Sequence, residues 1–455
     1  MVYQGKIGVV FGAGRSGLAA MRALLARGAS VRLTDKRPAS ALAVAAAEAE
    51  ALDVKVFWGG HPAELLDQAD FVVLSPGVPG DLPILSAARK AGIVVLSEIE
   101  LAFNLAPRRW VAVTGTNGKT TTTSLIAAMF ERAAFPYLCG GNIGRALADE
   151  VDRLDPRGTV VAEVSSFQLE EIHSFKPAVA LITNLTPDHL DRYKTMQAYV
   201  AAKARIFENQ DNKDFLILNA EDGPLLELAE GARSRKLFFS RLRPVKQGAW
   251  IEKGQIMIRV EDLALPLMPL EDLKLRGPHN QENALAASLA AAAAGLPFEA
   301  IARTLREFSP VEHRLEECGS LDGIGFINDS KATNVDSVEK ALQSFKEPVH
   351  LILGGRDKAG DFTRLASLVR ERVAEILLIG EAADVIERQL HGLVPTRRVS
   401  NMQEAVNKGF EAAKKGEWVL LSPGCASFDM FDNYEHRGRV FKAAVAELVH
   451  SGSRV

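Results

Sequence analysis

A glycine-rich turn that contains one lysine lies between an apolar run and a threonine-rich run. It reads Gly-Thr-Asn-Gly-Lys-Thr over residues 115–120, in the order strand, turn and helix that a phosphate-binding loop requires. Backbone N–H groups and the helix N-terminus of such a loop bind anions. Lys119 is expected to reach the β- and γ-phosphates of a nucleotide, and the Thr120 hydroxyl to bind its Mg²⁺. The usual first glycine is replaced by Val113, so the motif is a shortened form that still predicts an ATP site. The predicted nucleotide contacts in this segment are Gly115, Thr116, Asn117, Gly118, Lys119, Thr120 and Thr121.

Polar residues that could complete this site follow two further predicted strands. Glu163 ends one of them, and a carboxylate beside a phosphate-binding loop usually serves the Mg²⁺. Asp188 and His189 follow the other; such a pair is often structural, but at this sheet edge it also suits a metal or phosphate contact. Lys203 lies among small apolar residues of a predicted helix, where it is either a surface lysine with a buried stem or a residue of the site.

A second glycine-rich turn occupies residues 12–17 with the sequence Gly-Ala-Gly-Arg-Ser-Gly, between a strand and an Ala/Leu-rich helix. The next predicted strand ends at Asp35, where a dinucleotide-binding domain has its ribose-binding carboxylate. Taken alone, this unit indicates either a dinucleotide site or tight packing of the helix on the strand. A later strand at 71–74 leads into Ser-Pro-Gly-Val-Pro at 75–79, at the carboxyl edge where open α/β sheets bind ligands.

The last third of the chain alternates short apolar strands with helical patterns, which predicts another doubly wound sheet. Three loops after its strands are polar and rich in glycine, and any one of them could simply cap a helix. Because they are expected at one edge of the sheet, the three together favour a binding surface. These loops are residues 329–334, 354–358 and 422–429.

Length and composition limit the possible functions. A chain of 455 residues is long enough for about three domains. Its 54 basic and 57 acidic residues form no block of like charge, so neither nucleic acid nor an anionic membrane is an expected partner. Three widely spaced cysteines give no disulfide framework and no zinc pattern. Without a signal peptide or an apolar stretch long enough to span a bilayer, a cytoplasmic α/β protein is expected, as a monomer.

The expected fold is α/β with three domains. Residues 1–108 form a Rossmann-like domain, and residues 109–309 form a central P-loop ATPase-type domain. Short β segments between residues 238 and 273 give the central domain a small extra β-sheet. Residues 310–455 form a second Rossmann-like domain.

Taken together, these motifs resemble the Mur ligases, ATP-dependent amide-forming enzymes of peptidoglycan precursor synthesis. Within that family, the turn at 12–17 and the segment 421–429 resemble the branch that adds D-glutamate. The resemblance implies that the first domain binds the UDP of the substrate rather than a dinucleotide. The matching segments run through the whole chain, at 115–121, 163–168, 184–189, 201–203, 279–283, 313–314 and 329–334.

The implied reaction joins UDP-N-acetylmuramoyl-L-alanine to D-glutamate in two steps. ATP phosphorylates the free carboxylate of the first substrate to an acyl phosphate, and the amine of D-glutamate then attacks it. Two anions must meet in the first step, so Mg²⁺ and Lys119 have to neutralise charge. By resemblance, Thr120 and Glu163 would hold one Mg²⁺, while His189 and a carbamylated Lys203 would hold a second.

The resemblance also implies the remaining contacts. Asn283 and Arg314 would contact ADP, and Lys331 would lie near the acyl phosphate. The UDP-substrate contacts implied are Gly14, Ser16, Asp35, Gly77 and Asn142. The D-glutamate contacts implied are Thr333, Lys358, Ser427 and Phe428.

Four alternatives stay open at this point. A nicotinamide-dependent oxidoreductase would use the turn at 12–17, but it leaves the second nucleotide loop unexplained. A non-catalytic P-loop switch would bind ATP without phosphate release that depends on an amino acid. Folylpolyglutamate synthase shares the central fold but lacks a first domain of the kind expected at 1–108. Another Mur-type ligase would add a different amino acid.

Overall fold

The computed structural model describes residues 2–188, 190–260, 263–275, 277–309, 312–357 and 360–452. These residues form three β-sheets with helices between the strands, in an N-terminal, a central and a C-terminal domain, as the expected α/β fold class requires. Two compact units contain them: Met1–Leu273 with Glu282–Glu307, and Lys274–Gln281 with Phe308–Val455. The expected domain limits at 108/109 and 309/310 stay a prediction. None of the described helices combines the length and the apolar composition needed to cross a membrane.

The N-terminal sheet has five parallel strands in the order β3-β2-β1-β4-β5. Its strands are β1 Ile7–Phe11, β2 Ser30–Asp35, β3 Lys55–Trp58, β4 Phe71–Leu74 and β5 Val94–Ser97. Its helices are α1 Arg15–Leu25, α2 Ala43–Ala51, α3 Pro83–Lys90 and α4 Glu98–Leu105. The strand order reverses between β1 and β4, and a crevice forms at the carboxyl ends of strands at such a reversal. The turn at 12–17 and the loop at 75–79 therefore lie next to each other.

The central sheet has nine strands in the order β14-β13-β12-β11-β10-β9-β6-β8-β7. Its strands are β6 Arg109–Thr114, β7 Tyr137–Gly141, β8 Thr159–Glu163, β9 Val179–Ile182, β10 Phe215–Asn219, β11 Arg235–Ser240, β12 Gly248–Glu252, β13 Gln255–Arg259 and β14 Leu265–Pro269. Its helices are α5 Lys119–Arg132, α6 Ser166–Leu169, α7 Leu190–Tyr193, α8 Met196–Ala204, α9 Gly223–Leu228, α10 Pro278–Ala293 and α11 Phe298–Glu307. The expected extra β segments include β12, β13 and β14, which pair antiparallel with one another. The prediction of a separate small sheet is wrong, because β12 pairs with β11 and the three strands extend the edge of this same sheet. Because β6 lies between β8 and β9, the loops after these three strands are neighbours.

Aromatic side chains pack around the strand that carries the phosphate-binding turn. Trp110 on β6 is fully buried and makes edge-to-face contacts with Phe103 and Phe175, at ring-centroid distances of 5.9 and 5.5 Å. Its indole N–H donates to the carbonyl of Ala106. Each such aromatic pair is worth about 0.5–1.5 kcal/mol beyond the area that it buries. The cluster therefore helps to fix β6 and the turn that follows it.

The C-terminal sheet has six strands in the order β15-β16-β20-β17-β18-β19, and all of its neighbours are parallel except β15 and β16. Its strands are β15 Glu316–Leu321, β16 Ile324–Asn328, β17 Val349–Gly354, β18 Val373–Ile379, β19 Thr396–Arg398 and β20 Trp418–Leu421. Its helices are α12 Val335–Leu342, α13 Ala366–Arg372, α14 Ala383–Gln389, α15 Met402–Ala412 and α16 Tyr434–Gly452. Since β16, β20 and β17 are adjacent, the three polar loops that follow them share one edge.

Candidate active site

The phosphate-binding turn connects β6 to α5, and two of its glycines are required by its geometry. Gly115 and Gly118 have φ angles of +140° and +83°, which L-residues with a side chain rarely adopt. A β-carbon at Gly115 would overlap Thr183 Oγ1, and one at Gly118 would overlap Asn283 Oδ1. Asn283, predicted to contact ADP, therefore lies directly against the turn, and it also accepts a hydrogen bond from Thr122 Oγ1.

The loop after β9 holds the turn in shape. The Asn117 backbone N–H donates to Asn184 Oδ1, and Asn184 Nδ2 donates back to the Asn117 carbonyl, both over 3.0 Å. Thr116 Oγ1 donates to the carbonyl of Thr186. Thr121 has a buried hydroxyl with no partner among the residues that the structure describes. Asn184 begins the segment 184–189 that resembles the Mur ligases, but the sequence does not predict a role for its side chain.

Two lysines converge on this turn. Lys119 Nζ donates to the carbonyls of Gly115 and Thr116, at 2.9 and 2.8 Å. Lys203 Nζ donates to the same Gly115 carbonyl over 2.8 Å, and it lies 4.7 Å from the centre of the Tyr199 ring. Lys203 is only 2% exposed, so the alternative of a surface lysine is wrong. Burial, with the nearby Lys119 ammonium as a second cause, holds the pKa of Lys203 well below its usual range.

Glu163 lies at the end of β8, and its side chain is hydrogen-bonded both to the turn and to Asn142. Its Oε2 accepts a hydrogen bond from Thr120 Oγ1 over 2.8 Å, and its Oε1 accepts one from Asn142 Nδ2 over 2.9 Å. The residue is 2% exposed, and within the described parts of the chain these donors are neutral. A buried carboxylate whose hydrogen-bond donors are neutral is costly, and a bound cation would offset that cost; among the described residues, Lys203 also acts on Glu163 electrostatically. Hydroxyl and carboxylate oxygens are ligands that Mg²⁺ prefers, so Thr120 and Glu163 fit the ion.

A cavity of about 630 Å³ lies at the carboxyl edge of the N-terminal sheet and extends to Asn142. Arg15, Lys36 and Arg37 contribute cationic side chains to its wall, which suits an anionic ligand. The five residues predicted to bind the UDP-substrate all line it: Gly14, Ser16, Asp35, Gly77 and Asn142. His61 also lines the cavity, although nothing in its sequence context indicated a role.

Asp35 is hydrogen-bonded within the protein on both carboxylate oxygens. Its Oδ1 accepts from the backbone N–H and Nε of Arg37, and its Oδ2 accepts from Arg37 and from the backbone of Ala13. The Arg37 guanidinium, as the largest cause, holds the pKa of this carboxyl well below its usual range. Four donors fill its lone pairs, so the carboxylate cannot also accept bonds from a ribose without releasing one of them. These bonds fix Arg37 and the turn at 12–17, and the contact of Asp35 with the UDP-substrate stays a prediction.

The three loops of the C-terminal sheet are hydrogen-bonded to one another. The backbone of Gly424 donates to Ala332, and Arg356 and Ala426 exchange two backbone hydrogen bonds. Ser422 Oγ donates to Asp329 Oδ2 over 2.8 Å. The structure therefore brings together the segments that carry three predicted residues. These residues are the half-buried Thr333, the buried Ser427 and the 63% exposed Phe428.

Arg437 on α16 links two of these loops, although it was not predicted. It is 1% exposed, and its guanidinium donates to the Ser330 carbonyl over 2.8 Å and to the Cys425 carbonyl over 3.1 Å. Its Nε donates to Ser330 Oγ over 3.0 Å. Arg437 thus ties the loop at 329–334 to the loop at 422–429. The sequence carried no signal for this role, because Arg439 follows two positions later in the same helix and the local pattern does not distinguish the two arginines.

Among the remaining predicted residues, the structure describes Lys331 and Arg314. Lys331 donates its backbone N–H to His313, and its ammonium lies 5.6 Å from the Tyr434 ring centre. Arg314 precedes Leu315, whose backbone N–H donates to Asp329. Burial raises the pKa of Asp329 to about 6, and Arg314 acts in the opposite direction. The predicted residues His189 and Lys358 lie outside the described residues.

Models of protein families and the sequences of known proteins match this chain along most of its length. Three family models match: a Mur ligase MurD-like N-terminal domain at residues 6–97, a Mur ligase middle domain at 113–291, and a Mur ligase glutamate ligase domain at 313–425. The UDP-N-acetylmuramoylalanine–D-glutamate ligase of Acidobacterium capsulatum is 46% identical over 100% of this chain and 98% of its own length. The chain belongs to the Mur ligase family. The proteins of the same name from Koribacter versatilis and Pelotomaculum thermopropionicum are 43% and 44% identical, over 98% and 97% of this chain and 99% and 97% of their own lengths.

Solved structures of Mur ligases share this fold. The UDP-N-acetylmuramate–alanine ligase MurC of Thermotoga maritima aligns with a TM-score of 0.60 at 20% identity, over 97% of this chain and 99% of its own. MurF of Acinetobacter baumannii aligns with a TM-score of 0.61 at 17% identity, over 99% and 91% of the two chains. At these identities the likeness concerns the fold alone. Membership of the Mur ligase family, together with the internal bonding of Asp35, argues against the dinucleotide-dependent oxidoreductase.

Proposed function

We propose that this chain is an ATP-dependent amide ligase that adds D-glutamate to UDP-N-acetylmuramoyl-L-alanine in peptidoglycan precursor synthesis. One observation carries the proposal: the Glu163 carboxylate is hydrogen-bonded both to Thr120 of the nucleotide turn and to Asn142 of the ligand cavity. A phosphoryl-transfer site and a cavity for a large anionic ligand therefore share one side chain. The full-length relatives named as D-glutamate ligases support the choice of substrates.

In the first step, a carboxylate oxygen of the alanyl group attacks the γ-phosphorus of ATP. The bond from that phosphorus to the β,γ-bridging oxygen breaks, and ADP leaves. The chain's own contribution is to hold the phosphates on the N–H groups of the turn and to neutralise charge with Lys119. For this role Lys119 must exchange its hydrogen bonds to Gly115 and Thr116 for bonds to phosphate oxygens. Asn283, which lies against the turn, and Arg314 are proposed to contact the nucleotide.

Thr120 and Glu163 are proposed to hold one Mg²⁺, and His189 with a carbamylated Lys203 a second. When bound, these ions supply positive charge to the two reacting anions. The low pKa of Lys203 favours the neutral amine, and a neutral amine is the form that can add carbon dioxide. The carbamate would convert a buried cation into an anionic oxygen ligand.

In the second step, the amine of D-glutamate attacks the acyl carbon, and the tetrahedral intermediate expels inorganic phosphate to form the amide. Thr333, Lys358, Ser427 and Phe428 are proposed to bind the amino acid, with Lys331 near the acyl phosphate. The hydrogen bonds among the three C-terminal loops support this assignment, since they bring two hydroxyl-bearing loops together. Gly14, Ser16, Gly77 and Asn142 are proposed to contact the UDP-substrate, with Asp35 acting through Arg37.

An assay of phosphate release tests the whole proposal. The chain is incubated with Mg²⁺, ATP and UDP-N-acetylmuramoyl-L-alanine, and D-glutamate, L-glutamate and a diamino acid are compared as third substrates. Phosphate release that requires D-glutamate is the expected result. Release that prefers another amino acid would point to a different Mur ligase, and ATP binding without release would point to the P-loop switch.

The enzyme is proposed to be a monomer with domains at 1–108, 109–309 and 310–455. It is proposed to act in the cytoplasm, where ATP is available and where its three free cysteines are kept reduced. Size-exclusion chromatography with light scattering checks the monomer, and limited proteolysis near residues 108 and 309 checks the domain limits.

A further inference from the structure

The hydrogen bonds of Glu163 connect the nucleotide turn to the wall of the ligand cavity. Its Oε2 accepts from Thr120 in the nucleotide turn, and its Oε1 accepts from the side chain of Asn142 in the cavity wall. The backbone N–H of Asn142 also donates to the Glu163 carbonyl, over 2.8 Å. At 2% exposure the carboxylate has almost no access to water, so a lost donor is not readily replaced by solvent.

We infer that Asn142 is a positioning residue for Glu163, and that through this pair the ligand cavity and the nucleotide turn are coupled in affinity. The inference rests on the proposed function, because it takes the cavity ligand to be the UDP-substrate and the nucleotide to carry Mg²⁺. It concerns how the two sites influence each other, which the assignment of contacts alone does not give.

The sign of the coupling follows from charge. The reacting group of the UDP-substrate is a carboxylate, so it competes with Glu163 for the amide donor of Asn142. When that donor turns to the substrate, Glu163 loses a hydrogen bond that partly neutralised it. The carboxylate then attracts a cation beside Thr120 more strongly. Binding of the UDP-substrate should therefore tighten binding of the metal–nucleotide, and the reverse effect must have the same size.

A coupling factor of about tenfold is expected, near the lower end of the usual range, because one hydrogen bond carries it. Calorimetry measures the Kd of UDP-N-acetylmuramoyl-L-alanine with and without saturating Mg²⁺ and a non-hydrolysable ATP analogue. The reverse titration must return the same factor. Binding of Mn²⁺ in the presence of the analogue, followed by electron paramagnetic resonance, reports the metal directly and does not depend on turnover.

Two substitutions of Asn142 and one matched control test the role of the amide. Asn142→Ala removes the donor, and Asn142→Asp keeps the side-chain size but puts an acceptor in its place; both are expected to reduce the factor to about one. Ser16→Ala changes the same cavity without a hydrogen bond to Glu163, so it should weaken substrate binding and keep the tenfold factor. Having both Asn142 variants preserves the test if one of them fails to fold.

The outcomes separate the inference from the function. A wild-type factor near one, or a factor of ten that persists in a folded Asn142 variant, overturns the inference and leaves the ligase proposal intact. Loss of the factor in Ser16→Ala as well would also overturn it, because the coupling would then belong to the cavity as a whole. A wild-type protein that binds neither ligand would overturn both.

Discussion

Replacement of Glu163 by glutamine separates a structural role of this side chain from a functional one. In the protein its two carboxylate oxygens accept hydrogen bonds from Thr120 and Asn142, and the residue is 2% exposed. Glutamine has nearly the same shape and keeps one carbonyl oxygen for the Asn142 amide. Its NH₂ group would face Thr120, whose hydroxyl can rotate and accept instead of donating. Glu163→Gln should therefore fold.

The effect on stability is expected to be small. Each hydrogen bond changes from a charge-assisted one, worth about 1.5–3 kcal/mol, to a neutral one worth about 0.5–1.5 kcal/mol. Together these changes cost roughly 2–3 kcal/mol. Removal of the buried charge recovers desolvation free energy that offsets part of this cost, although it also ends the electrostatic attraction between Glu163 and Lys203. The free energy of unfolding should thus decrease by less than about 2 kcal/mol, as urea denaturation measures.

The effect on ligand binding is expected to be large. A charge-assisted contact to the metal–nucleotide, worth about 1.5–3 kcal/mol, is lost, which corresponds to roughly 10- to 150-fold weaker binding. Calorimetry with Mg²⁺ and a non-hydrolysable ATP analogue measures that loss, and a phosphate-release assay should detect no turnover. A variant that is more than about 2 kcal/mol less stable, yet binds the metal–nucleotide as tightly as the wild type, would refute the reasoning. Glu163 would then be a structural residue.

Three other substitutions are expected to change activity, substrate affinity or stability. Lys203→Ala should be inactive and should regain part of its activity with short carboxylic acids, because these refill the vacated oxygen-ligand position. If no acid restores activity, and a high-resolution map of the wild type shows an unmodified lysine, the carbamate is excluded. Lys358→Ala should raise the KM for D-glutamate by roughly 10- to 150-fold and leave the KM for ATP nearly unchanged, because a charge-assisted contact is lost; equal changes in both would assign Lys358 to another role. Burial raises the pKa of Glu98 to about 7, whereas its pKa in the unfolded chain is near 4.5. Between these two pH values the unfolded chain loses its proton first, so the folded protein becomes less stable as the pH rises. Glu98→Gln should therefore be more stable than the wild type above pH 7 and nearly equal to it near pH 4.5, by chemical denaturation at both pH values; an equal difference at both would contradict this.

The sequence predicted the main strands and the loops after them because both carry strong local signals. The strands 71–74, 324–328 and 418–421 coincide with the observed ones, since each is a short, mainly apolar run next to a turn. The strand Tyr137–Gly141 was not predicted. Two of its five residues are glycines, which weaken a strand pattern, and its pairing with β8, a distant part of the chain, stabilises it.

The contacts of individual side chains were harder to predict from the sequence than the positions of strands and loops. Lys203 lies in a helix of small residues whose pattern does not indicate a buried face, so tertiary packing alone decides its burial. Asp35 was predicted to contact a ligand, but Arg37 folds back onto it and occupies its oxygens. Arg437 gains one partner, Ser330, from a loop that lies 107 residues earlier in the chain. Such contacts between distant residues have no local pattern.

The most direct test of the central claim is the stereochemistry of the amino acid that triggers phosphate release. With Mg²⁺, ATP and UDP-N-acetylmuramoyl-L-alanine present, D-glutamate should release one phosphate for each amide formed, detected by mass spectrometry of the UDP product. L-Glutamate should release almost none. Equal release with both enantiomers, or release without a new amide, would contradict the assignment of this chain as a D-glutamate ligase.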